Sequence, residues 1–276
     1  MQQNKKIYVM YMMKKMSVLL LALLALTACQ DEPKSDEGAV ETITVNGVSF
    51  NMVKVKGGSL TMNMELITDW GVDYQDSTLD VTLADYSIGQ TEVTQGLWLA
   101  VMGSNPSYFT SGNMAEQDIE LEDDLNRPVE NVWWDDCQAF IEKLNELTGR
   151  HFRIPTDAEW EFAARGGNKT HGYTYAGSED IDEVAWSQDN SDGRTHPVGQ
   201  KKPNELGLYD MSGNVCEFCL NSFQYYWYDG TSYIIGIYRG GSYYKNCTVW
   251  NHGWFGYLGY GTNRTKASYI GLRLAE

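Results

Sequence analysis

The stretch between Arg239-Gly240-Gly241-Ser242 and Ile270-Gly271-Leu272-Arg273 constrains the fold most. It holds Tyr243, Tyr244, Trp250, Trp254, Phe255, Tyr257 and Tyr260, with Gly253, Gly256, Gly259 and Gly261 set among them. Neither a helical nor a strand period runs through it, and everything after Gly166 is similarly rich in Gly, Asn, Asp and aromatic residues. Such a chain is expected to form loops pinned on short strands. Something besides long hydrogen-bond ladders must hold those loops.

Regular structure is expected earlier. Thr42 to Val53 alternates around Asn46-Gly47 as a hairpin does, and Gly57-Gly58 marks a second turn. Helices are predicted at Thr94 to Met102, at Trp134 to Leu147 with Gly149 beyond its end, and at Thr156 to Arg165. In the last of these, Thr156 and Glu159 form a capping box.

At the start, Lys14 and Lys15 precede an apolar run from Val18 to Leu26, which is too short to span a bilayer and reads as a secretory signal. It ends in Leu26-Thr27-Ala28-Cys29, which resembles a bacterial lipobox. That resemblance implies cleavage before Cys29, lipidation of Cys29 and anchoring by acyl chains. The chain then divides into a signal peptide, 1–28, a disordered acidic tether, 29–41, and one domain, 42–276. Acidic residues just after Cys29 resemble export signals to the outer cell surface, so the expected location is the bacterial envelope, lipid-anchored on the outer membrane. The signal carries four of the 21 Lys and Arg and none of the 37 Asp and Glu, leaving 17 against 37, a charge of −20 with His neutral. A surface so acidic repels phosphate backbones, which argues against nucleic acid as a partner.

Several segments then occur in one order: Val53-Lys54-Val55-Lys56-Gly57-Gly58-Ser59, Thr91-Glu92-Val93-Thr94, Arg127-Pro128-Val129-Glu130-Asn131-Val132-Trp133-Trp134, Pro155-Thr156-Asp157-Ala158-Glu159-Trp160-Glu161, Gly213-Asn214-Val215-Cys216-Glu217 and Arg239-Gly240-Gly241-Ser242. Together they resemble the formylglycine-generating enzyme, or sulfatase-modifying factor, family. The resemblance runs from about Val45 to the C-terminus. It implies an α+β fold of the C-type-lectin kind with much irregular structure.

By that resemblance, active members hold copper(I) with two cysteines shortly after Gly-Gly-Ser, thiolates being suited to a soft ion. Those positions fall at Lys245 and Trp250 here, neither of which supplies a thiolate. Cys247 lies between them, off register. Copper is therefore not expected, and a formylglycine-generating oxidase acting on sulfatase cysteine becomes an alternative reading. The resemblance also implies a structural calcium site at Asp210, Gly213, Val215 and Glu217, all offering hard oxygen donors. Cys216 and Cys219 form a C-x-x-C, readable as packing, a disulfide or a redox or metal pair. Cys137 is expected in the core, and none of the four histidines has a visible catalytic partner.

Tyr, Trp, Gly and Asn are the residues of a binding surface, because rigid amphipathic rings give contact area at low entropy cost. Tyr243, Tyr244, Trp250, His252, Trp254, Phe255, Tyr257 and Tyr260 are the expected ligand contacts, toward an unknown protein or glycan. The tract also resembles the variable proteins of diversity-generating retroelements, whose mutagenesis replaces adenines. From Tyr244 to Thr262 every residue except Lys245, Trp250 and Trp254 is reachable from an asparagine codon. The expected function is a non-catalytic, ligand-binding surface lipoprotein. A structural lipoprotein of a secretion or motility assembly is a further alternative.

Overall fold

A computed structural model describes residues 36–68, 71–115, 123–220, 224–226, 232–245, 248–249, 252–256 and 266–276. The expected signal peptide, the expected lipidation site at Cys29, Cys247, Trp250, Tyr257 and Tyr260 lie outside them.

The expected hairpin forms from β1 (Val40–Val45) and β2 (Val48–Val55). Asn46 and Gly47 both take positive φ, at 48° and 83°, as a two-residue turn matching strand twist requires. Strand β3 (Ser59–Thr68) and β4 (Gly71–Thr82) form a separate antiparallel pair. Sequence reasoning missed this pair, because its apolar residues do not alternate strictly and its register shifts between Met64 and Leu66. Strand β5 (Tyr86–Gly89) completes the first sheet, in the order β1-β2-β5.

Helix α1 (Gln95–Met102) starts where Thr94 accepts from the Leu97 amide. It is followed by the short α2 (Ser111–Ala115). Helix α3 (Trp134–Thr148) ends at Gly149 in the left-handed region. Helix α4 (Asp157–Ala164) carries the expected capping box: Glu159 N donates to Thr156 Oγ1 at 3.2 Å, and Thr156 N to Glu159 Oε2 at 2.8 Å. A last helical turn, α5 (Ile181–Val184), precedes a long irregular segment.

The second sheet gathers β6 (Cys216–Cys219), β7 (Gln224–Tyr226), β8 (Ser232–Arg239), β9 (His252–Gly256) and β10 (Ile270–Gly271). Its order is β10-β6-β8-β7, with β9 also on β8. Apolar residues form two main clusters. One packs α1 and α3 against β10, with the Trp98 and Phe140 rings stacked 4.8 Å apart. The other surrounds Trp160 and Phe162 of α4. The architecture is α+β, as expected. Among the described residues, no helix is long and apolar enough to cross a membrane.

Candidate functional site

At the end of β8, Arg239 is buried and pairs with Asp157 and Glu161, which fixes the following Gly-Gly-Ser turn against α4. The next three residues point in different ways. Tyr243 was expected among the ligand contacts, but it is buried. Its ring meets Phe109 edge-on at 5.2 Å, and its hydroxyl lies 2.9 Å from Ser268 Oγ. With Met114 and Phe109 it forms a small core of its own, so the ring braces the surface from below. Tyr244 is 59% exposed, and its ring lies 6.2 Å from that of Tyr269.

Lys245, at the position of the first family cysteine, places Nζ 4.6 Å from the Tyr269 ring centre and 5.3 Å from that of Tyr238, and donates to Tyr238 Oη at 3.2 Å. This is cation–π geometry in place of a thiolate. Burial draws its pKa down, but the bond to Tyr238 together with the charge interactions with Tyr238, Tyr269 and Cys216 leaves it raised. His252, Trp254 and Phe255 stand on β9 opposite Arg239, Ile237 and Gly236 of β8.

One contributor escaped the sequence reading. Tyr108 is 43% exposed and packs edge-on against Phe109 at 5.1 Å, which brings it to the Tyr243 cluster. The available signal was the aromatic pair Tyr108-Phe109 directly after the turn-rich Ser104-Asn105-Pro106-Ser107 segment. Below it, Glu130 is fully buried and its Oε1 accepts from Phe109 N at 2.8 Å. Burial pushes this carboxyl up to about 8.

The expected calcium residues lie in a second constellation. Asp210 and Asn214 take positive φ, and Gly213, at φ 88°, is where an added Cβ would sit 2.4 Å from the Trp186 carbonyl oxygen. Only glycine fits that turn. Glu92, Asp210, Glu217 and Arg273 are all buried. Glu92 accepts from Val215 N and Asn214 Nδ2, while Asp210 Oδ2 accepts from Gly199 N at 2.7 Å. Asp210 Oδ1 is buried with no hydrogen-bond partner. Glu217 is engaged by Arg273 and by Trp160 Nε1 at 2.5 Å. Desolvation raises Glu92 well above its ordinary range and Asp210 to about 6.

Three carboxylates around one guanidinium leave an excess of two negative charges, which a divalent cation or protons would cancel. The orphaned Asp210 oxygen and this charge count fit calcium. Glu217 would share its carboxylate, which has about four lone-pair sites, between Arg273 and the ion. Among the described residues no three His, Cys, Asp or Glu side chains form a metal cluster by themselves. The implied set uses two side chains and two backbone carbonyls.

The C-x-x-C resolves plainly. Cys216 belongs to the first core cluster and Cys219 to the second, on opposite faces of β6, because residues three apart on a strand point apart. Neither is held in a disulfide, nor is the buried Cys137. The redox, metal and disulfide readings of that pair are thereby excluded. His196 stacks on Trp186 at 3.8 Å and faces Ser191 O at 2.9 Å, a packing role.

The sequence profile of the sulfatase-modifying factor enzyme 1-like domain matches residues 38–276. The chaperone protein LppX of Paenibacillus barcinonensis is 36% identical over 62% of the chain and 71% of its own length. The formylglycine-generating enzyme of Streptomyces coelicolor is 31% identical over 43% of the chain, which spans 42% of that enzyme. Among solved structures, Treponema denticola variable protein 1 superposes with a TM-score of 0.65 at 29% identity, over 86% of the chain and 98% of that protein. The chain belongs to the sulfatase-modifying factor enzyme 1-like domain family.

Proposed function

We propose that this domain is a ligand-binding module without oxidase chemistry, carried on the bacterial surface by a lipid on Cys29. The observation that carries the reading is Lys245: its ammonium lies over the rings of Tyr238 and Tyr269 where copper chemistry needs a thiolate. An ammonium has no lone pair to offer a metal while protonated, and Trp250 at the second position offers no thiolate. Around Lys245 the fold presents Tyr244 and Tyr108, ring-bearing residues of the kind that anchor interfaces.

The likeness to Treponema denticola variable protein 1 supports a surface whose residues change while its frame stays fixed. The intact brackets at Arg239 and Arg273, each buried in an ion-pair network, supply such a frame. Calcium at Asp210, Gly213, Val215 and Glu217 belongs to the same reading as a brace beneath it.

Sequencing the DNA beside the gene tests the diversified version. A reverse transcriptase and a near-copy of the codons for 239–273 differing at adenines are expected. If neither is present, the surface is fixed and retroelement diversification is ruled out for this gene. Copper-dependent oxidation of a cysteine peptide by the purified protein would overturn the non-catalytic reading itself.

A further inference from the structure

We infer a second binding site, for a neutral saccharide, in a cavity that shares no lining residue with the C-terminal aromatic surface. The cavity has a volume of about 530 Å³ and lies between the β1–β2 hairpin, the start of α1 and the segment 123–126. That volume falls in the ordinary range of small-molecule sites, roughly 300–1,000 Å³.

Its chemistry selects the ligand. Apolar side chains line it, among them Val48, Phe50, Leu97 and Leu125, and Leu125 is 52% exposed. Between them are the side-chain amides of Asn51, Gln90 and Asn126. Each amide is held by an internal bond. Asn51 Nδ2 donates to Gln90 Oε1 at 2.9 Å, Gln90 Nε2 to Gly207 O at 3.2 Å, and Asn126 Nδ2 to Asp123 Oδ2 at 2.7 Å.

Asn51 Oδ1 also accepts from Thr42 Oγ1 at 2.8 Å. An amide has two N–H donors and an acceptor oxygen with two lone pairs, so one or two such bonds fix its orientation and leave further donors and acceptors for a ligand. Fixed neutral donors and acceptors set beside apolar faces suit a molecule whose hydroxyls line its edge and whose C–H groups form its face. Among the described residues no Lys, Arg or His lines the cavity, while Asp123 and Glu92 do. Phosphates, sulfates and uronic acids are therefore disfavoured, since they would meet acidic groups with no compensating cation. A long acyl chain would leave the amides unsatisfied.

The test is saturation-transfer NMR on the purified protein with four neutral disaccharides as probes: cellobiose, maltose, lactose and N,N′-diacetylchitobiose. Glucuronic acid serves as the charged counter-probe. At least one neutral disaccharide is expected to bind, and glucuronic acid not to. Leu125→Arg should weaken binding by about tenfold or more. Leu125 is exposed, so the fold should tolerate that change; if its thermal melt shifts, Asn126→Ala takes its place with the same expectation. Tyr244→Ala should leave disaccharide binding unchanged, which separates this site from the C-terminal surface. The inference is overturned if none of the four binds, if binding survives both cavity variants, or if it is lost in Tyr244→Ala.

Discussion

Arg273 clasps Glu217 in a fully buried fork: Nε lies 3.0 and 2.9 Å from the two carboxylate oxygens, and Nη2 lies 2.7 Å from Oε1. The remaining guanidinium donors reach Gly89 O and Tyr209 O, both at 2.8 Å. One side chain from the last strand region thus ties β6, β5 and the irregular segment before β6 together, which is how a domain with few long ladders is held.

Breaking that clasp should be costly. A buried pair that loses one partner leaves an uncompensated charge worth about 3–5 kcal/mol. Glu217→Gln and Arg273→Met are each expected to destabilise by that order in urea titrations. The double variant should lose less than the sum of the two, since it leaves neither charge stranded. Additive losses would mean that the pair is not coupled.

Glu130 gives the fold an acid-side preference. Its folded carboxyl holds its proton to about pH 8, against an ordinary value of 4.5. The folded state therefore binds the proton more tightly than the unfolded chain, and stability falls as pH rises between those two values. Glu130→Gln keeps an acceptor for Phe109 N but cannot ionise. It should match the parent near pH 5 and exceed it near pH 8, by up to roughly 4 kcal/mol from linkage. Parallel stability curves across that range would refute this assignment.

The sequence made some of this legible and hid the rest. Helix α4 was readable to within a residue at each end because its signal is local: Thr156 and Glu159 cap the same turn. The hairpin at Asn46-Gly47 was readable for the same reason, positive φ at both positions. The inward turn of Tyr243 was not, because it depends on Phe109 and Ser268, which are distant in sequence. The separation of Cys216 from Cys219 follows from a strand that four residues of Cys-Glu-Phe-Cys do not announce. The place of Tyr108 was hidden for the same reason, since it reaches the Tyr243 cluster only through the contact of Phe109 with a ring distant in sequence.

Calcium should stabilise the domain through Asp210, on the proposal that the ion cancels the excess charge around Arg273. An ion present at a hundredfold its Kd adds about 2.7 kcal/mol. For a domain of this size that is a rise in Tm of roughly 5–10 °C. Thermal melts in calcium and in EDTA should differ by that order, with Asp210→Asn abolishing most of the difference and magnesium failing to replace calcium. Identical melts in calcium and EDTA would remove the ion from the account.

The thiols of Cys216 and Cys219 should be reduced as purified, since each is sealed in a different core. Alkylation in denaturant without reductant should place two labels on the peptide carrying both. An unlabelled peptide that gains labels only after reduction would show a bridge that this strand geometry forbids.

Tyr243 and Tyr244, adjacent in sequence, should respond oppositely to truncation. Tyr243 is buried against Phe109 and bonded to Ser268, so Tyr243→Ala opens a cavity and should cost about 3–5 kcal/mol. Tyr244 is 59% exposed, and Tyr244→Ala should change stability by less than about 0.5 kcal/mol. Once a protein or glycan ligand for the C-terminal surface is in hand, Tyr244→Ala should weaken it by tenfold or more, in keeping with a loss above about 1.4 kcal/mol at an aromatic anchor. Urea titration and binding isotherms on the two variants separate frame from contact. If Tyr244→Ala destabilises the fold as much as Tyr243→Ala does, the exposed ring is part of the core and the binding surface must lie elsewhere.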